Sequence, residues 1–174
     1  MRLDFLTKFQ MVVCEKKLYK DTIDRVMWCL QAMAAGANEE NKRFLQFPDK
    51  VKMIMIAKSV VQDATKKSEG FADALATLKS LSDNADDRIL TLIGCGDMPS
   101  CLINLHAQYF GDLQIHMLVL RILANLMTTS KKDVVQKLIF HGVLDRLHAD
   151  MQQTNFELVC EACWSCGNLA CDFP

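Results

Sequence analysis

Four of the chain's eight cysteines, Cys160, Cys163, Cys166 and Cys171, form a C-x2-C-x2-C-x4-C run. Thiolates at this spacing in an extended loop can hold a zinc ion or an iron–sulfur cluster, and the run comes close to the C-x2-C-x2-C-x3-C-P pattern of cluster loops. It misses in two ways: the last gap is one residue too long, and Pro174 does not directly follow Cys171. The segment also has the pattern of a helix, NFELVCEACWSCGNLA at 155–170. On that helix Cys160, Cys163 and Cys166 spread over about 120° and cannot converge on one ion without unwinding it. A Cys-rich metal or Fe–S protein is therefore the lesser reading. No cofactor is expected, and the cysteines are predicted to be small buried side chains.

Catalytic chemistry has little to stand on. The chain contains no Gly-rich phosphate loop, no H-E-x-x-H and no GxSxG. His106, His116, His141 and His148 are scattered over different predicted helices, and His106 and His116 read as surface or interface residues rather than bases. Gly94-Cys95-Gly96 reads as a turn between helices and the Met-rich stretch at 53–55 as core filler. The chain is predicted not to be an enzyme.

A different chemistry lies on the 155–170 helix. Glu157, Glu161, Trp164 and Asn168 fall within about 60° of one another, a narrow polar and aromatic stripe. Leu158, Ala162, Cys166, Leu169 and Ala170 are assigned to the opposite side. An Asn amide can both donate to and accept from a peptide backbone, which holds a segment extended without reading its side chains. A Trp plane one turn earlier covers the aliphatic stem of a Lys or Arg whose charged end reaches an acid. The same face of three earlier long helices carries Asp21, Arg25, Trp28 and Ala32; then Glu69, Asp73, Ala76 and Ser80; then Gln114, Leu118, Arg121 and Asn125. The candidate partner-binding residues are Trp28, Glu69, Asp73, Arg121, Asn125, Glu157, Glu161, Trp164 and Asn168. Each has a purely structural role as its competitor: Trp164 covering the core, Asn168 bonding a neighbouring helix, Asp21 and Glu157 facing the positive end of their own helices.

These stripes need helices to position them. Leu3, Leu6, Phe9 and Val13 predict a helix to about Lys17, followed by one capped by Asp21 and ending near Gly36. A short polar helix from Asn38 is expected to break at Phe47-Pro48, with a helix from about Asp49 to Gln62 and another ending near Ser82. The order of short helix, Gly or Pro break, helix and long helix restarts at DNADDRILTLIG and again at KKDVVQKLIF, with breaks at Cys95 to Pro99 and at His141-Gly142. Leu30, Leu78, Leu123 and Cys166 mark matching points of the long helices, 48, 45 and 43 residues apart.

This order, with ILANL at 122–126 and EACWSCGNLA at 161–170, resembles the armadillo-repeat family over nearly the whole chain. The resemblance implies one all-α domain over 1–174, an armadillo-type solenoid with a partial repeat at 1–36 and full three-helix repeats at 38–82, 83–128 and 131–171. It implies a right-handed superhelix whose third helices line a concave groove, and a scaffold that binds a partner segment along it. The Trp164 and Asn168 pair is also similar to the WxxxN marker of importin-alpha, the receptor for nuclear localisation signals. Trp28 with Ala32 and Arg121 with Asn125 break that pattern, so an adaptor for basic peptides is the alternative. Neither end carries a polar capping helix, so a fragment of a longer protein, or ends that self-associate, is expected.

The composition sets the remaining limits. With 51% hydrophobic and 24% charged residues the chain is globular, and its net charge of -1 offers no basic field for nucleic acid or anionic lipid. Apolar runs such as MIMIA at 53–57 are too short to span a bilayer, and the opening MRLDFLTKFQMVVCEKK is a poor secretory signal. Eight cysteines without framework spacing suit a reducing compartment, the cytoplasm or the nucleus.

Overall fold

The computed structural model describes residues 6–8, 20–36, 45–63 and 69–172, and no strand occurs among them. The chain divides into two compact units, 1–81 and 82–174.

Among the described residues of the first unit, Leu6 to Lys8 are helical and three helices follow: α1 (Lys20–Ala35), α2 (Phe47–Gln62) and α3 (Glu69–Ser82). Helix α1 starts one residue before Asp21, so Asp21 sits in the first turn rather than at the cap. Extended Gln46 precedes α2, and Pro48 occupies its first turn, where a missing N–H costs nothing. The expected short helix from Asn38 lies largely outside the described residues, as does most of the expected first helix. Met27, Leu30, Met53, Ile54, Ala57, Leu75 and Leu78 form the core, whereas Met55 of the Met-rich stretch is exposed. Helices α1 and α3 meet at Gly70, whose N–H donates to Asp24 Oδ1 at 2.9 Å. That bond satisfies a helix-start amide, and it requires glycine: a Cβ at position 70 would lie 2.5 Å from Asp24 Oδ1 and 3.0 Å from its Cα.

The second unit runs through α4 (Asp87–Gly94), α5 (Met98–Gln108), α6 (Leu113–Leu126), α7 (Lys132–Phe140), α8 (Val143–Met151) and α9 (Phe156–Asp172). Local signals set most of these ends. Asp86 accepts from the amides of Arg88 and Ile89 at the start of α4, Asp112 from Ile115 at that of α6, and Asn155 from Leu158 at that of α9. Pro99 stands in the first turn of α5, and Gly142, at φ 89°, makes the turn from α7 into α8 that a side chain would strain. Ile93, Met98, Leu102, Leu120, Ile122, Leu138, Val143 and Leu147 are fully buried. The start of α4 is tied to the turn after α6: Asp87 accepts from Thr129 Oγ1 at 2.8 Å and from the Ser130 amide at 2.9 Å, 42 and 43 residues away. Among the described residues no helix is long and apolar enough to cross a membrane.

Candidate functional site

The polar stripe of α9 lies beside that of α6. Arg121 on α6 reaches across to both acids of α9, with its Nη2 3.0 Å from Glu157 Oε1 and its Nε 3.3 Å from Glu161 Oε2. Neighbouring helices of opposite charge thus neutralise each other locally, and the acids expected to receive a basic partner already hold a guanidinium. One turn beyond Arg121 on α6 and two turns beyond Glu161 on α9, the two amides are also engaged. Asn168 donates through Nδ2 to the Ala124 carbonyl at 3.3 Å, and Asn125 Nδ2 donates to Ser82 Oγ at 2.9 Å and Asp83 Oδ1 at 3.0 Å. An amide nitrogen has two N–H groups, so Asn125 has spent both and offers a ligand its oxygen alone, while Asn168 has spent one. Trp164 stands out beside them with 52% of its surface exposed. The arrangement can stack one side chain on Trp164 and bond a backbone through the Asn168 amide, and its net charge is low.

In the first unit, Trp28 projects from α1 with 64% of its surface exposed, in company with exposed Asp21, Arg25 and Ala32. Asp73 on α3 is half-buried, and its carbonyl accepts from Thr77 Oγ1 at 2.7 Å. Glu69 begins α3.

Two expectations are corrected. Cys160, Cys163 and Cys171 are exposed and Cys166 is only half-buried, because the buried side of α9 is Leu158, Ala162, Ser165 and Leu169. Ala170, assigned to the core side, is exposed as well. His106 and His116, read as surface or interface residues, are instead fully buried on α5 and α6 and share the buried carboxylate of Asp150 on α8. His106 Nε2 lies 2.7 Å from Asp150 Oδ2, His116 Nε2 2.8 Å from Asp150 Oδ1, and His116 Nδ1 3.2 Å from the His106 carbonyl oxygen.

Both nitrogens of His116 face oxygen atoms, while His106 Nδ1 is buried without a partner. Burial pushes the His106 imidazole below its usual range, against the pull of Asp150. Burial alone would raise the Asp150 carboxyl, but the bonds from His106 and His116 outweigh it and hold the carboxyl below the usual carboxylate range. The three donor atoms lie within 4.8 Å of one another, a set that invites comparison with a metal site. The comparison fails on distance. Two ligands of a tetrahedral zinc ion stand about 3.3 Å apart, and the N···O pairs here are 2.7 and 2.8 Å, the length of a shared proton. The trio is a structural network that ties α5, α6 and α8 together. No pattern in the sequence links residues 34 and 44 positions apart, so sequence reasoning missed it.

No protein-family profile matches the chain, and no curated protein matches it. Solved structures do. A designed armadillo repeat protein in complex with the peptide (KR)4 aligns at a TM-score of 0.70 and 18% identity, over 95% of this chain and 64% of that one. Two engineered proteins known from crystal structures align at TM-scores of 0.66 and 0.59 with 16% and 13% identity, over 94% and 97% of this chain and 62% and 44% of theirs. The chain thus spans less than two thirds of the length of these three proteins. Its helix order and its agreement with them over nearly its full length identify an all-helical, armadillo-type repeat fold.

Proposed function

We propose that the chain is a non-catalytic protein-interaction module that holds an extended segment of a partner against the stripe of α6 and α9. The observation that carries this reading is the half-exposed indole of Trp164 standing beside the partly engaged Asn168 amide on a repeat fold. Trp164 supplies a stacking surface, Asn168 bonds the partner's backbone, and Asn125 accepts from it. Arg121, Glu157 and Glu161 form a floor in which one guanidinium bridges two carboxylates. In the first unit the same reading assigns contacts to Trp28, Glu69 and Asp73. The described cysteines are all free thiols, which suits a module of the cytoplasm or nucleus.

An importin-alpha-like adaptor for basic peptides is the second reading, and the (KR)4 complex of the designed neighbour favours it. Arg121 weighs against it here, because a basic segment must displace that guanidinium from two carboxylates or meet its charge. The test is selection of peptides from a display library, followed by titration into wild type, Trp164→Ala and Asn168→Ala with tryptophan fluorescence or calorimetry. Selected peptides should bind both variants more weakly while the thermal midpoints stay near wild type. Equal binding by all three proteins would sink the stripe as the site. Tight, steeply salt-dependent binding of (KR)4 to wild type would establish the adaptor reading instead.

A further inference from the structure

The amides of Asn125 and Asn168 lie on the same stripe with different bonds left to give. Asn168 keeps its oxygen and one N–H. Asn125 donates both of its N–H groups, to Ser82 Oγ at 2.9 Å and to Asp83 Oδ1 at 3.0 Å. A side-chain amide turned end for end keeps its shape, so a neighbour must choose which end faces out. Ser82 makes no choice, because a hydroxyl both donates and accepts. Asp83 does: a carboxylate only accepts, and turning the amide would put the Asn125 oxygen at the 3.0 Å from Asp83 Oδ1 that its nitrogen now holds. The oxygen is therefore held away from Asp83. It accepts no bond from the described residues, and it is open to solvent, since the buried side-chain polar atom without a partner among those residues is His106 Nδ1 alone.

Resting on the reading that the stripe of α6 and α9 holds an extended segment, we propose that Asp83 sets the polarity of the Asn125 subsite, which reads one backbone N–H of the segment and no carbonyl. In an extended chain a residue turns its N–H and its C=O to the same side, the arrangement that lets paired strands exchange both bonds. Asn168 can take both groups of such a residue, whereas Asn125 takes the N–H and leaves the carbonyl to water. The segment must therefore carry a free N–H at the position facing Asn125. Proline and other N-substituted residues are rejected there, and the amide places no demand on the side chain. Asp83 acts through Asn125, as a positioning residue.

An amide-to-ester scan tests this, because it replaces one backbone N–H by oxygen and leaves every side chain in place. The peptide is one selected on the wild-type chain and weakened by Trp164→Ala or Asn168→Ala, and each ester is compared with the parent amide by calorimetry. In wild type the ester facing Asn125 should bind about threefold to tenfold more weakly, and Asn125→Ala identifies that position by abolishing its penalty. Asp83→Asn is isosteric, and its amide can meet either end of Asn125. In that variant the same penalty should shrink to about twofold or less, because the freed Asn125 amide can turn and donate to the carbonyl instead. A purely structural Asp83 would weaken amide and ester alike and leave their ratio unchanged. A ratio in Asp83→Asn equal to that of wild type overturns the proposal, and so does a scan in which no ester penalty depends on Asn125. If no selected peptide is weakened by Trp164→Ala or Asn168→Ala, the stripe itself falls and the polarity of its subsite with it, so the two failures are distinct.

Discussion

Replacing Asp150 separates what its shape contributes from what its charge contributes. Asp150→Ala leaves the Nε2–H groups of His106 and His116 pointing at a void in a site with no solvent exposure. Each orphaned buried donor costs roughly 1–3 kcal/mol, and removing one member of a buried charged pair about 3–5 kcal/mol. A loss of about 4 kcal/mol in a unit spanning residues 82–174 corresponds to a thermal midpoint lowered on the order of 20 °C. Asp150→Asn behaves differently. Its Oδ1 can still accept from one histidine, and its Nδ2 can donate to His116 Nε2 in the tautomer whose Nδ1–H bonds the His106 carbonyl. Every bond survives with no charge in the network, so the cost should be about 1 kcal/mol. Urea unfolding and thermal denaturation of the three proteins at neutral pH, followed by circular dichroism, give both numbers. If Asn costs as much as Ala, the ionic charge and not the bonding pattern holds the trio. A cost below about 1 kcal/mol for Ala would show that the network contributes little.

Three further outcomes are expected. Stability should fall in acid in two stages: His106 has its folded pKa depressed below 6.5, so its contribution is complete above that pH and is lost as pH drops through the folded value; Asp150, depressed below 3.8, behaves likewise at lower pH. Urea midpoints measured from pH 7 to pH 3 check this, and a flat profile down to pH 4 contradicts the His106 assignment. Arg121→Ala should cost about 1 kcal/mol or less, because Arg121 is 37% and Glu157 67% exposed. The same variant should bind (KR)4 more tightly than wild type, and fluorescence titration showing no gain would mean that the guanidinium does not guard the acids. Gly70→Ala should destabilise the first unit by about 1–3 kcal/mol in urea, since the methyl meets the Asp24 backbone, outweighing the gain of about 1 kcal/mol in helix propensity.

Much of the fold is legible in the sequence because its determinants are local. Pro48 and Pro99 start helices, Gly142 makes a turn that other residues resist, and Asp86, Asp112 and Asn155 cap the helices that follow them. The 3.6-residue period puts Glu157, Glu161, Trp164 and Asn168 on one side of a helix without reference to any other segment. Whether such a side is covered is a separate matter, and here periodicity misleads. Helix α9 is apolar on two sides, so composition alone made Cys160, Cys163 and Cys171 look like core, and only the position of the neighbouring helices leaves them in solvent.

The sequence by itself determined most of the described helices, their order, their recurrence every 43 to 48 residues and the character of each face, because hydrogen bonding and side-chain direction within a helix depend on residues a few positions apart. Tertiary structure decided which polar groups meet. Arg121 finds Glu157 and Glu161, Asn168 finds Ala124, Gly70 finds Asp24, and two histidines ten residues apart find one carboxylate, all through contacts between helices that no local pattern records. The physical reason is desolvation: a buried donor must have an acceptor, and which acceptor it receives depends on how helices from different parts of the chain stack.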